Sequence, residues 1–139
     1  MITDAQTRFS SAQAITTGTQ LSTNAYDLGV ARDAGRGQPL RIVATIDTTF
    51  TGGTSLQVNI VESANSDLSS ATVISTGTAI VEASLTAGSK IVDRHLPQTS
   101  KRYIGLQYVT VGTHTAGALT AGIVLDSDSN TYFAANTGF

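Results

Sequence analysis

Few residue groups in this chain are spaced for chemistry, and each stops short of a working set. Asp126-Ser127-Asp128-Ser129-Asn130 matches the first half of a calcium-binding loop, D-x-D-x-[DN]. Thr131 then stands where glycine makes the sharp turn, and Thr137 where a bidentate glutamate is needed. A polar strand end is the better reading. The two histidines are His95 and His114. His95 follows Asp93 by two residues on an expected strand, so both side chains share a face and could hydrogen-bond. A hydrolytic triad also needs a nucleophile, and with 14 serines the sequence does not single one out. G-x-S-x-G, H-E-x-x-H and the phosphate-binding G-x-x-x-x-G-K-[ST] are all missing. Gly35-Arg36-Gly37 lacks the third glycine of a dinucleotide loop. Catalysis is not expected, and neither a cofactor nor a metal is implied.

Composition narrows the classes further. The 139 residues suit one domain with a core of its own. Charged residues make up 13% against about 25% in an average domain, while 40% are hydrophobic, which argues against disorder. A net charge of −2 excludes a broad electrostatic grip on nucleic acid. With no cysteine, disulfides and thiolate chemistry are excluded. No apolar run approaches the about 20 residues of a membrane helix. No basic-then-apolar leader opens the chain, so synthesis in a cytoplasm without export by a cleaved signal is expected. Thr (22) and Ser (14) make the surface hydroxyl-rich. Arg32 and Arg36 flank Asp33 in a Gly-rich connection, and either solvation or contact with an acidic partner would suit them. Lys101-Arg102 opens a strand.

The elements that must position these residues are strands. Leu40, Ile42, Ala44 and Ile46 alternate with other residues, as do Leu56, Val58 and Ile60, then Ile104, Leu106 and Tyr108, then Leu119, Ala121, Ile123 and Leu125. Period two puts one face of each in a core. Weaker strands are expected at 26–30, 72–76, 79–83 and 90–96. Turns are expected at Thr51–Thr54, Ser63–Asp67, Thr76–Thr78, Ala87–Ser89 and from Val111 to Gly117. Short helical turns are expected at Leu68–Ala71 and Asp4–Gln13. About eight short strands predict an all-β antiparallel β-sandwich of jelly-roll type. The chain divides into an N-terminal arm and first strand region (1–24), the sandwich (25–126) and an aromatic tail (127–139). Both ends either reach a partner or fold back over their own core.

Two segments carry a family resemblance. One is Asp27-Leu28-Gly29-Val30-Ala31-Arg32-Asp33-Ala34-Gly35-Arg36-Gly37-Gln38-Pro39-Leu40. The other is Arg102-Tyr103-Ile104-Gly105-Leu106-Gln107-Tyr108, followed by Thr115-Ala116-Gly117-Ala118-Leu119-Thr120-Ala121-Gly122-Ile123-Val124-Leu125-Asp126. Together with Asp4-Ala5-Gln6 and Phe9-Ser10-Ser11-Ala12-Gln13-Ala14, this ordered set resembles the capsid cement (decoration) proteins of short-tailed bacteriophages. The resemblance implies a jelly roll that binds the outer surface of a phage head, bridges capsomers and stabilises the shell. Its partners would be the major capsid protein and itself, as a homo-oligomer, dimer before trimer, with no nucleic acid and no membrane. It would be made in the host cytoplasm and reside on the virion. It brings no catalytic residues. Free strand edges would be closed by the arm and the tail, which makes Arg8, Phe9, Arg32, Arg36, Tyr132, Phe133 and Phe139 the expected partner contacts. A carbohydrate-binding jelly-roll module is the alternative, with a groove lined by Tyr26, Tyr103 or Tyr108, although no Trp is present to form a platform. A hydrolase built on His95 or His114 is a third.

Overall fold

The alternating segments of the sequence become the strands of a single antiparallel sheet. The computed structural model describes residues 4–35 and 40–124. In chain order the strands are β1 (Arg8–Ala14), β2 (Thr19–Leu21), β3 (Tyr26–Asp27), β4 (Arg41–Ser63), β5 (Thr72–Ser75), β6 (Ile80–Val81), β7 (Lys90–His95) and β8 (Tyr103–Val124). A 3₁₀ turn at Glu82–Ser84 is present, and no α-helix occurs among the described residues.

The long strands β4 and β8 pair from Arg41↔Val124 to Ser63↔Tyr103. Strands β1, β2 and β3 line the free edge of β8, and β5, β6 and β7 line that of β4. Ile42, Ala44, Ile46, Leu56, Val58 and Ile60 of β4 share one buried cluster with Ile104, Leu106, Tyr108, Leu119, Ala121 and Ile123 of β8. Because both halves of each long strand turn their apolar face to one core, the sheet doubles over at mid-length into two layers. The first is ordered β7–β4–β8–β1, and the second β5/β6–β4–β8–β2/β3. Across the core, Tyr108 Oη and Ser10 Oγ hydrogen-bond at 2.7 Å, joining the layers. Each fully buried large apolar side chain in this core contributes about 1.5–3 kcal/mol.

Several expectations are corrected here. Thr51–Thr54 and Val111–Gly117 do not end strands; they are the bends inside β4 and β8, marked by register shifts between Ile46 and Ser55. Gly52 supplies the left-handed backbone the bend requires, at φ +90°. No helical turn forms at Leu68–Ala71, because Leu68 and Ser70 sit at φ +60° and +52°. Leu68 instead lays its side chain over Gly105, where a Cβ would meet Leu68 Cδ1 at 2.2 Å. Residues 4–7 make a turn, with Thr7 N donating to Asp4 O, and the remainder of Asp4–Gln13 is strand. The strands expected at 26–30 and 79–83 are shorter, Tyr26–Asp27 and Ile80–Val81.

The N-terminal region is no extended arm from residue 8 onward. Ile123 N donates to Thr7 O, Ile15 N to Gly117 O, His114 N to Thr16 O, Thr110 N to Gly18 O, Ser22 N to Leu106 O and Leu28 N to Arg102 O. Residues 7–28 thus run beside the whole of β8 and satisfy its edge. Of the two readings left open for residues 8–24, folding back over their own core is the one realised. The tail 127–139 lies outside the described residues.

Candidate functional site

The bend brings the most concentrated chemistry together. His114 is 2% exposed and lies against Phe50, ring centroids 5.0 Å apart and edge-on at 87°. Its Nδ1 is 3.2 Å from Glu82 Oε2 but poorly aligned for a hydrogen bond, and its Nε2 is 3.4 Å from the Ser55 carbonyl. The Glu82 carboxylate also accepts the Gly52 and Gly53 N–H groups, so it caps the two donors that the bent strand turns outward. Gly53 is required because a Cβ there would lie 2.3 Å from the His114 ring. The ring's neighbours are thus an aromatic side chain, a carboxylate and a carbonyl. The Asp93 carboxylate is held by Arg41 and by Lys90 Nζ at 2.7 Å, while His95 is exposed one register step along β7.

Other polar groups hold connections in place. Asp27 accepts a bidentate pair from Arg102 and the N–H of Gly29; the guanidinium first, and that N–H second, bring its carboxyl from 3.8 to about 2. The Arg102 guanidinium lies 5.1 Å from the Tyr103 ring centroid. Glu62, 5% exposed, accepts from Ser100 N, Ser100 Oγ and Lys101 N. Burial pushes its carboxyl up, but these hydrogen bonds and the Lys101 charge outweigh burial and leave it below its ordinary value. Arg94 reaches from β7 across to the other layer, donating to Val58 O at 2.8 Å and to Ser75 Oγ at 3.0 Å. Val58 lies where β4 has no strand beside it, between its pairings with β6 and β5, so Arg94 takes the place of the absent edge partner. Beside it opens a cleft of about 290 Å³, whose apolar walls include Ile80, Ile91 and Val92.

The two outer faces differ in charge. Alternation turns the odd-numbered residues of β4 away from the core, and register assigns their neighbours. On the first layer these are Arg41 beside His95, Val43 beside Asp93 and Gly122, and Thr45 beside Lys90, with Arg8 opposite Gly122. On the second layer Ser55 lies between Val81 and Val111, Gln57 beside Val109, Asn59 beside Gln107, and Val61 between Val73 and Gly105. Thr19 and Leu21 extend the middle rows. None of these residues carries a charge, although Val61 and Asn59 are buried, and on the next row Asp27, opposite Tyr103, is paired with Arg102. Their amides are already ordered: Gln57 Nε2 donates to Asn59 Oδ1, and Asn59 Nδ2 to Gln107 Oε1, both at 3.0 Å. Val81 and Val111 are 60% and 56% exposed there.

The expected contact residues are not brought together. Phe9 is fully buried in its own core, where it cannot meet a partner, because β1 folds onto β8. Arg8 is half-buried and donates to Ser11 Oγ at 3.4 Å. Arg32 is exposed; its carbonyl accepts from Thr99 Oγ1 at 2.7 Å. Arg36, Tyr132, Phe133, Phe139 and the Asp126–Asn130 run lie outside the described residues. Tyr108, expected in a groove, is a core residue. Sequence reasoning missed the uncharged middle rows of the second layer. The alternation showed Gln57, Asn59 and Gln107 as outward residues, but only register places them in adjoining rows with Val81 and Val111.

No curated protein sequence matches this chain significantly. A family model does match, over residues 9–123, a span that takes in every strand from β1 through the greater part of β8. The chain belongs to the Bbp16 family.

Proposed function

We propose that this chain is a structural capsid cement protein, which binds the outer surface of a phage head and bridges neighbouring capsomers. The observation that carries the reading is the run of uncharged middle rows on the outer face of the second layer, from Ser55, Val81 and Val111 to Gln107, beside the ordered resemblance of nearly the whole chain to decoration proteins. A face of hydroxyls, amides and valines meets a large protein surface without stripping water from charges. The pairing also supports a jelly roll. The first strand lies beside the last half-strand, β2 and β3 beside the half-strand before it, the first half of β4 beside β7 and its second half beside β5, as in a long hairpin of strands rolled up.

The mechanism is mass action. A protein that binds the expanded shell across a capsomer junction, but not separated capsomers, stabilises the shell by its binding free energy. Joining copies in a homo-oligomer makes later contacts intramolecular, so modest contacts yield high avidity. The partner is the major capsid protein and the location the virion exterior. Co-sedimentation of the full chain with expanded and unexpanded heads tests this. Saturable binding to expanded heads is expected, and none to either form refutes it.

A further inference from the structure

The cleft beside Arg94 combines apolar walls, an unmatched charge and an open strand edge. Val58, Ile80, Ile91 and Val92 supply the walls. The Arg94 guanidinium donates only to neutral oxygens, Val58 O, Thr76 O and Ser75 Oγ, and its Nε is buried with no acceptor. No carboxylate pairs with it among the described residues. Asp93 lines the cleft too, but it is held by Arg41 and Lys90, so three cations stand against one carboxylate there. A half-buried guanidinium that has shed water without gaining a counter-charge favours an incoming carboxylate, which accepts a charge-assisted hydrogen bond. The edge is that of β7, which pairs with β4 on one side and with no described strand on the other. Four consecutive β7 residues, Ile91 to Arg94, line the cleft. Such an edge takes an extended segment by strand addition, and a pocket beside it reads alternate side chains. At about 290 Å³ the cleft falls just short of small-molecule sites, which begin at about 300 Å³, and suits the side chains of a peptide.

We propose that this cleft takes an extended acidic segment of a partner protein, with its carboxylate on the Arg94 guanidinium and a large apolar side chain two residues away against Ile80, Ile91 and Val92. The unmatched charge selects the acid, and the open β7 edge selects extended chain, in which alternate side chains point the same way. This contact lies outside the cement reading, which assigns none to the β7 edge, and it does not depend on shell binding.

The chain has no tryptophan, so the fluorescence of a tryptophan in a probe peptide is read without background. The probe is a blocked pentapeptide, Thr-Trp-Thr-Glu-Thr. On titration with the full chain its emission should shift to the blue and saturate, and the counterpart with Gln in place of Glu should bind about tenfold more weakly. Arg94→Gln should remove that preference. Because Arg94 also holds the Val58 carbonyl, Thr78→Phe provides a second variant. Thr78 is exposed at the cleft, so the thermal melt should hold while probe binding falls about tenfold. The absence of a saturable shift, equal affinity for the two probes, or undiminished binding to Thr78→Phe overturns the proposal. So does a Phe133→Ala chain that binds the probe much more tightly than the wild type, which would assign the cleft to the chain's own tail. A probe affinity that falls as the chain is concentrated overturns it too, assigning the cleft to a second copy.

Discussion

Glu82 and His114, 32 residues apart in sequence, face each other at 3.2 Å where β4 bends from one layer to the other. The carboxylate does two tasks, capping the N–H groups of Gly52 and Gly53 and flanking the imidazole that covers Gly53. Glu82→Ala strips both donors of their acceptor, and a loss of about 1–3 kcal/mol is expected. Glu82→Gln, which keeps an acceptor, should lose less. Urea midpoints at constant m-value check this; equal losses from both substitutions would show that the carboxylate is not the relevant acceptor.

Gly53→Ala drives a methyl into the His114 ring and should destabilise by about 2–4 kcal/mol. The same change in a His114→Ala background removes the obstacle. A double-mutant cycle should therefore give a coupling of at least about 1 kcal/mol. Simple additivity would mean that the clash is relieved elsewhere.

Phe9→Ala opens a cavity between β1 and the core, so a loss of about 3–5 kcal/mol is expected. If Phe9 were instead a partner contact on a free arm, the melt of the isolated chain would not move.

Asp27 provides an acid-side test. Its folded pKa of about 2 lies below the ordinary 3.8, so its contribution to stability is complete above pH 4 and disappears as pH falls toward 2. The stability gap between wild type and Asp27→Asn should therefore close over that window. A gap constant from pH 6 to pH 2 would show that the Arg102 pairing has no linkage to folding.

Tyr108 provides the alkaline counterpart. Burial raises its phenol well above the ordinary range, against the smaller opposing effect of the Ser10 hydrogen bond. The folded state thus holds it neutral, and stability is lost as pH rises past the unfolded phenol value of about 10. Phenolate absorbance from one tyrosine of four should emerge only with unfolding, and Tyr108→Phe should remove that delayed component. Its early appearance would place Tyr108 in contact with solvent.

Much of this protein was determined by sequence alone. Period-two alternation in 40–46, 56–60, 104–108 and 119–125 located the inward faces of the long strands, because side chains on a pleated backbone must alternate. Scarce charge and abundant Thr and Ser foretold a hydroxyl-rich β surface. What alternation does not encode is whether a glycine pair reverses a strand or bends it. Thr51-Gly52-Gly53-Thr54 reads as a turn locally, yet the pairing of β4 with β8 on both sides of it makes continuation the lower-energy course. Nor does local pattern reveal that residues 7–28 close the β8 edge, since Phe9 and Ile15 become core residues only when β8 lies beside them. Tertiary structure alone decided the contrast between the outer faces. Val81, Ser55 and Val111 are far apart in the chain, and cross-strand register makes them neighbours. Register is set by the whole sheet closing over its core, a long-range condition that no local window contains.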